Sequence, residues 1–150
     1  MPAGSQSVLE LHGNLLANKC FECEKAIPSD IFDTLPLASP PPCPCGKSSV
    51  RPDVVWFGEM LPLKTIQAAG RAAGECDVFL SIGTSSQVYP AAQLPHDAKA
   101  AGALVIEINA DDTPLTAHAD LALRGASGAL LPALLERLKS QSQSGSSSSD

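Results

Sequence analysis

Two short cysteine pairs constrain the fold of this chain more than any other feature of its sequence. Cys20 and Cys23 form a C-x-x-C motif, and after nineteen intervening residues Cys43 and Cys45 form a C-x-C motif. Two close pairs at this separation are typical of a structural zinc site with four thiolate ligands in a tetrahedral arrangement. The second pair is one residue tighter than the ideal, so two unrelated thiol pairs remain the alternative interpretation.

The residues around these pairs support the metal interpretation. Residues 18–58 include the proline-rich stretch LPLASPPPCPCG, which can form neither a helix nor a central strand. A short segment of this composition has no core of its own, so a bound metal would have to supply its stability. A closed four-cysteine site leaves no position open for a substrate, and we therefore predict one structural Zn²⁺ per chain. We expect Cys76 to be a small buried hydrophobic residue and not a fifth ligand.

Residues 59–139 alternate between helical and strand patterns. The apolar spacing predicts helices over 63–76, 91–102 and 127–140, and strands over 77–83, 104–109 and 119–125. The strand DVFLSIG is nearly continuously apolar, which is typical of a strand buried on both faces. This order predicts an α/β fold, the second half of a Rossmann-like doubly wound parallel sheet, into which the zinc-ribbon module is inserted. Residues 1–17 form a separate segment that carries His12, and the low-complexity residues 140–150 are expected to be disordered.

Charge and hydropathy exclude several classes of protein. The formal net charge of −6 argues against a nucleic-acid partner, because such binding requires a basic face. No run of apolar residues approaches the length of a membrane span, and the first residues lack the pattern of a signal peptide. We therefore expect a cytoplasmic protein without a membrane partner.

A series of motifs resembles one family over roughly residues 8–138. In chain order they are LELHGNL, CFEC, CPCG, RPDVVWFGEMLP, LSIGTSSQVYPAAQLP, EINADDTPLT and LRGASGALLP. This order is similar to that of the sirtuins, which are NAD-dependent protein-lysine deacylases. The V-V-W-F-G-E motif looks most like that of the bacterial and mitochondrial branch, which removes acetyl groups and short acidic acyl groups such as succinyl.

The resemblance implies a catalytic role for His12. From the residues alone, a lone histidine is more often structural than catalytic. In sirtuins, however, the histidine of the H-G dipeptide before the C-x-x-C motif is the general base, and imidazole suits that role because its pKa lies near neutrality. The implied reaction uses NAD and water to convert an acylated lysine into free lysine, with nicotinamide and O-acyl-ADP-ribose as the other products.

The resemblance also implies residues that bind NAD. Gly83, Thr84 and Ser85 follow a predicted strand, where a glycine turn with free amides and hydroxyls suits a ribose or a phosphate. Asn109, Ala110 and Asp111 match the family's contacts to the adenosine ribose, and Ser127 matches a contact on the adenine side. The alternatives from the residues alone are a helix-capping G-T-S turn, an Asx turn at Asn109 and an N-cap at Ser127.

The substrate is implied to bind along residues 54–59. In the family this segment is a strand to which the acylated peptide adds itself through backbone hydrogen bonds. The six residues are Val54, Val55, Trp56, Phe57, Gly58 and Glu59. The side chains of Val55, Trp56 and Phe57 would line the channel for the acyl-lysine, and burial of Trp56 in a core is the alternative.

The chain also departs from the family pattern. Only eleven residues precede His12, and they contain neither the family's Gly-Ala-Gly-x-Ser loop nor its Gln-Asn-x-Asp motif. We therefore expect a truncated chain with little activity by itself, whose strand 77–83 has an unpaired edge. Its partner would be a missing N-terminal half or a second copy of the chain. The alternative function is a zinc-bearing module that binds acylated peptides without turnover.

Overall fold

The computed structural model describes residues 4–32 and 40–144 of the chain, which divides into two compact units, Met1–Ala68 and Ala69–Asp150. Part of the proline-rich stretch, residues 35–39, lies outside the described residues, as do residues 145–150 of the tail.

The first unit contains a small antiparallel sheet in the order β2-β1-β3. Its strands are β1 (Gly13–Cys20), β2 (Ala26–Ile27) and β3 (Val50–Val54), and a short 3₁₀ helix spans Ser29–Phe32. The register of β1 against β3 shifts between Asn14 and Asn18, as at a β-bulge. The sheet therefore joins the His12 segment directly to the residues that precede the predicted substrate segment.

Gly13 is a residue that this sheet requires. Its φ angle is +77°, and a Cβ atom at this position would lie 2.0 Å from the carbonyl oxygen of Asp53. Any side chain would therefore collide with the backbone of β3 and would also adopt a disfavoured conformation. This explains in physical terms why a glycine follows His12.

The second unit contains a parallel sheet in the order β4-β5-β6, as the sequence predicts. Its strands are β4 (Val78–Ile82), β5 (Leu104–Asn109) and β6 (Leu121–Arg124). The helices are α1 (Leu63–Glu75), in which the boundary between the units falls, α2 (Leu94–Ala100), preceded by a 3₁₀ turn at Ala91–Gln93, and α3 (Ser127–Ser144). The predicted half of a doubly wound fold is thus confirmed.

The helix boundaries differ from the expected ones. α2 begins at Leu94 and not at 91, and Pro95 lies in its first turn, where proline loses no hydrogen bond. Ser127 is the first residue of α3 and not its N-cap, because the carbonyl oxygen of Ala126 accepts the first helical bond, from the Leu130 amide. The helix also continues to Ser144, into the segment expected to be disordered. No described helix has both the length and the apolar character needed to cross a membrane.

The expectation that β4 is buried on both faces is wrong. Phe79 packs on one face of the sheet against a cluster of Ala73, Ala98 and Ala103. On the opposite face, Val78 and Leu80 are 49% and 44% exposed, and Leu104 and Leu121 on the neighbouring strands are both 47% exposed. The continuous apolar run reflects a second apolar face that the described residues leave partly open.

A buried carboxylate organises the loop that follows β5. Glu107 is 1% exposed and accepts hydrogen bonds from the hydroxyls of Thr113 and Thr116 and from both terminal nitrogens of Arg124. Burial raises the pKa of Glu107, but the hydroxyl and guanidinium donors outweigh it and the net pKa is lowered. The carboxylate thereby ties β5, the 110–119 loop and β6 together.

We predict that Glu107→Gln lowers the free energy of unfolding by about 2 kcal/mol, because the half-buried Arg124 loses one of its two carboxylate partners and a hydroxyl loses its acceptor. Since the folded-state pKa of Glu107 lies below its ordinary value, its contribution is complete above about pH 4.3 and is lost as the pH falls further. Urea unfolding of both proteins at pH 7 and pH 3 measures this. The exposed Glu136→Gln is the control, and an equal stability of Glu107→Gln and wild type at pH 7 would contradict the prediction.

Candidate functional site

The four predicted metal ligands are brought together. All four sulfur atoms lie within 4.8 Å of one another, with Cys20 Sγ 3.7 Å from Cys45 Sγ and Cys23 Sγ 3.9 Å from Cys43 Sγ. Tetrahedral zinc with Zn–S bonds of about 2.3 Å requires sulfur atoms about 3.8 Å apart. The cluster therefore fits a closed Zn²⁺ site.

Both cysteine pairs form similar turns around this cluster. The Cys23 amide donates to Cys20 Sγ and the Cys45 amide to Cys43 Sγ, each at 3.4 Å. Gly46 follows with a φ of +71° and donates its amide to the Cys43 carbonyl oxygen at 2.9 Å. The shorter C-x-C spacing is thus compatible with the same N–H···S arrangement as the C-x-x-C pair.

Without a metal, the pKa values of Cys20 and Cys43 are shifted in opposite directions. The hydrogen bond from the Cys23 amide is the main cause that lowers the pKa of Cys20, to about 6. For Cys43 the Cys45 amide lowers the pKa, but burial and the neighbouring thiols together raise it, to about 12. Metal binding therefore has to displace a proton from Cys43, which makes zinc affinity depend on pH.

The thiol cluster is also the core of the first unit. Cys20, Cys43 and Val50 form its buried apolar cluster, against which Cys23 and Ile27 pack. Cys76 lies outside this cluster, and it is only partly buried and not buried as predicted, packing against Ala73, Ala98 and Ala103 in the second unit.

His12 is exposed and its backbone is held against the end of β3. Its carbonyl oxygen accepts a hydrogen bond of 3.0 Å from the Val55 amide, and Gly13 pairs with Val54. The imidazole is thus presented to solvent from a backbone that is fixed on both sides.

The expectation that residues 54–59 form a strand is only partly met. β3 ends at Val54, and the chain then turns, with Gly58 at a φ of +89° and the Glu59 amide bonded to the Trp56 carbonyl oxygen at 3.0 Å. Trp56 is 48% exposed and Phe57 is 98% exposed, so burial of Trp56 in a core is wrong. The glycine and the reverse hydrogen bond explain why an apolar run does not continue as a strand here.

A residue that the sequence analysis missed lies beneath this turn. Arg51 is 7% exposed and pairs with Glu59 through two bonds of 2.6 and 2.7 Å. The hydrogen bond from Arg51 is the main cause that lowers the pKa of Glu59 to about 2, so the pair is ionised throughout the neutral range. No sequence pattern marks two residues eight positions apart as partners, and only a turn between them brings them together.

The predicted NAD-binding residues of the second unit meet where its parallel strands end. Gly83 donates its amide to the Ile108 carbonyl oxygen, and Asn109 Nδ2 donates to the Thr84 carbonyl oxygen at 2.7 Å. Asn109 Oδ1 also accepts from the Ala110 amide, so the Asx interpretation applies as well. Ser85 and Asp111 are exposed, and Ser127 begins α3 just after β6, whose last residue Arg124 pairs with Asn109. This edge of a parallel sheet is where nucleotides bind in such folds.

Comparisons with known proteins agree with this arrangement. A model of the Sir2 family matches residues 1–90. The NAD-dependent protein deacylase of Pyrococcus furiosus is 45% identical over 140 residues, which cover 91% of this chain and 56% of that protein. The protein of the same description from Mycobacterium tuberculosis is 44% identical and is covered to 58%. The chain thus spans little more than half the length of these curated relatives.

Solved structures show the same fold. A Sir2 homologue in complex with NAD superposes with a TM-score of 0.84 at 40% identity, covering 93% of this chain and 54% of that one. A Sir2 protein bound to a propionylated peptide superposes with a TM-score of 0.82 at 32% identity, covering 90% of this chain and 57% of that one.

We predict that the purified chain binds one zinc ion and that Cys43→Ser abolishes zinc retention and unfolds the first unit, because the thiolates provide most of its buried core. Metal analysis after gel filtration and the amide dispersion in ¹⁵N spectra measure the two effects. Cys76→Ser is the matched control and should keep the metal. Full zinc retention by Cys43→Ser would show that Cys43 is not a ligand.

Proposed function

Because the chain belongs to the Sir2 family, we propose that it acts in the NAD-dependent removal of acyl groups from lysine side chains of proteins. One observation carries this proposal. Within the first unit, the candidate general base His12 and the candidate peptide-binding segment are joined by a backbone hydrogen bond, from the Val55 amide to the His12 carbonyl oxygen. This hydrogen bond supports the proposal, because it holds the backbone of the candidate base beside the segment to which an acylated peptide would add.

His12 provides the proton transfer in this proposal. Its exposed imidazole would accept a proton from a hydroxyl group of the bound nucleotide's ribose, which then takes up the acyl group while water completes the release of free lysine. NAD supplies the ribose and the nicotinamide leaving group. Since the acyl group ends on ADP-ribose, the reaction is formally a group transfer.

The acylated lysine and its flanking residues would bind along Val54 to Glu59. Backbone groups of this segment would pair with the peptide, so that binding depends little on the sequence around the lysine. Val55, Trp56 and Phe57 supply apolar surface for the methylene stem of the lysine. The V-V-W-F-G-E motif resembles that of the branch that removes acetyl and short acidic acyl groups, and we propose acyl groups of this kind as substrates.

NAD would contact the strand ends of the second unit. Gly83, Thr84 and Ser85 would meet a ribose or phosphate group, Asn109, Ala110 and Asp111 the adenosine ribose, and Ser127 the adenine side. The φ of +62° at Gly83 and the open space around its α-carbon support a close approach of a ligand to this backbone. The four thiolates would hold Zn²⁺ as a structural ion that takes no part in the reaction.

We further propose a cytoplasmic location and no nucleic-acid partner. Four free thiols gathered at metal-ligand distances suit a reducing compartment. The net charge of −6 disfavours a polyanionic partner.

The second candidate is binding of acylated peptides without turnover. This candidate is favoured by the observation that the chain covers only 56% of the Pyrococcus furiosus relative, because the activity of that relative belongs to its whole length. Peptide binding and nicotinamide release separate the two candidates.

We predict that the zinc-loaded chain releases nicotinamide from NAD only when an acetyl-lysine peptide is present, and that His12→Ala lowers the rate on the order of 100-fold by removing the general base. Chromatographic quantification of nicotinamide measures this, and His118→Ala serves as the matched histidine control. Peptide binding without peptide-dependent nicotinamide release would favour the second candidate.

We also propose that the apolar face of the second sheet and the free edge of β4 bind a further polypeptide. Among the described residues β4 pairs only with β5, and the exposed side chains of Val78, Leu80, Leu104 and Leu121 form one continuous face. The occupant we propose is a polypeptide equivalent to the part of the relatives that this chain does not match. When that polypeptide is absent, a second copy of the chain would bind in its place.

We predict that the unmatched part of the Pyrococcus furiosus relative, added as a separate polypeptide, forms a one-to-one complex with this chain, because it covers apolar surface that is otherwise exposed to water. Light scattering coupled to gel filtration measures the complex. Leu80→Lys should prevent it, whereas Leu16→Lys, at an 85% exposed leucine of the first unit, should not. The proposal is refuted if the chain stays monomeric and does not bind the added polypeptide.

A further inference from the structure

The Arg51–Glu59 pair performs no step in the proposed reaction, and yet it is the most elaborately bonded charge pair of the first unit's described residues. Two parallel N–H···O bonds join the guanidinium to the carboxylate, from NH1 to Oε1 at 2.6 Å and from NH2 to Oε2 at 2.7 Å. This bidentate geometry fixes the carboxylate in orientation as well as in distance.

The same two groups hold the backbone of residues 54–59. Arg51 NH2 donates to the Val54 carbonyl oxygen at 3.1 Å, and Glu59 Oε2 accepts from the Trp56 amide at 3.0 Å. The Glu59 amide in turn donates to the Trp56 carbonyl oxygen. One ion pair thus restrains the beginning, the middle and the end of the segment.

The guanidinium also fixes the aromatic side chain of the segment. Its central carbon lies 4.1 Å from the centre of the Trp56 ring and 5.3 Å from that of Phe21, and the two rings lie 6.0 Å apart. Cation–π attraction at these distances holds the half-exposed indole in place. A cleft of about 590 Å³ adjoins the pair and is lined by both of its residues and by Val55.

Stability alone is a poor explanation for this arrangement. A buried ion pair adds little net stability, because the loss of hydration offsets the attraction between the charges. Arg51 Nε is moreover buried without a hydrogen-bond partner among the described residues, which is unfavourable. An apolar pair of similar volume would fill the same space without that penalty, but it could not hydrogen-bond the Val54 carbonyl oxygen and the Trp56 amide.

We propose that Arg51 and Glu59 are positioning residues that hold residues 54–59 in the one conformation able to bind an acyl-lysine peptide. This inference rests on the proposed role of that segment in peptide binding. Preorganisation raises affinity because the segment does not have to be ordered when the peptide binds, and ordering a backbone residue costs about 1 kcal/mol or more.

The decisive variant is the double substitution Arg51→Met/Glu59→Met. It removes the ion pair without leaving an unpaired buried charge, so the fold and the zinc site should be retained. Arg51→Lys is the companion variant, which keeps the positive charge but loses the planar fork. Lys19→Met is the matched control, because it removes the Lys19–Asp53 ion pair of the same sheet, which is 2.9 Å long and makes none of these backbone contacts.

The experiment measures the Kd of a fluorescein-labelled acetyl-lysine peptide by anisotropy, hydrogen exchange at the Trp56 amide, and zinc content. Trp56 is the only tryptophan, so its fluorescence reports the packing of the segment in each variant. We expect the double variant and Arg51→Lys to bind the peptide about 10-fold more weakly, equivalent to about 1.4 kcal/mol, with faster Trp56 exchange and unchanged zinc content. Lys19→Met should bind as the wild type does.

The outcomes separate this inference from the proposed function. If the wild-type chain binds acetylated and unmodified peptides equally weakly, the proposed function fails. If the wild type binds the acetylated peptide and the folded, zinc-loaded double variant binds it equally well, the positioning role is refuted while peptide binding stands.

Discussion

The first unit depends on the contact between four sulfur atoms. Cys20 ends β1, Cys23 follows in the next turn, and Cys43 and Cys45 approach from a second turn just before β3. Apart from Val50, the buried apolar cluster of this unit consists of the cysteines themselves. A metal that neutralised and joined these thiolates would stabilise the pairing of β1 with β3, and with it the backbone positions of His12 and of residues 54–59.

The second unit is organised by a different kind of interaction. Glu107 is a buried acid whose donors come from the 110–119 loop and from β6, so a single carboxylate orders the strand ends at which Asn109 lies. The same sheet leaves an apolar face open. A polar network inside the sheet thus coexists with hydrophobic surface that is available to a partner, and the two features concern opposite faces of β5.

Arg51 illustrates how an apolar segment can be displayed and yet stay ordered. Trp56 and Phe57 would ordinarily be buried, and their exposure costs hydrophobic free energy. The guanidinium against the Trp56 ring and the Glu59 carboxylate supply restraints that burial would otherwise provide. Exposed apolar side chains on a rigid backbone are suited to binding a ligand with an apolar stem.

Several features were predictable from local sequence. The parallel strands and their helices were predictable, because apolar periodicity acts within a few residues. The clustering of the four cysteines was also predictable, because the spacing within each pair reflects the turn that presents it. β1 was not, since its alternation is broken by the bulge between Asn14 and Asn18. The half-buried state of β4 was misjudged because one strand's composition does not reveal what covers each of its faces.

By itself, then, the sequence determined which four thiols could hold a metal, the order of strands and helices in the second unit, and the resemblance that implies a role for His12. Tertiary structure alone decided that residues 54–59 turn away from β3 and that Arg51 meets Glu59 beneath them. It also decided that Glu107 accepts hydrogen bonds from the 110–119 loop and from β6, and that one face of the second sheet stays partly exposed. The physical reason is that spacing and periodicity act along the chain, whereas buried charge pairs and uncovered surfaces depend on which distant residues the folded backbone brings together.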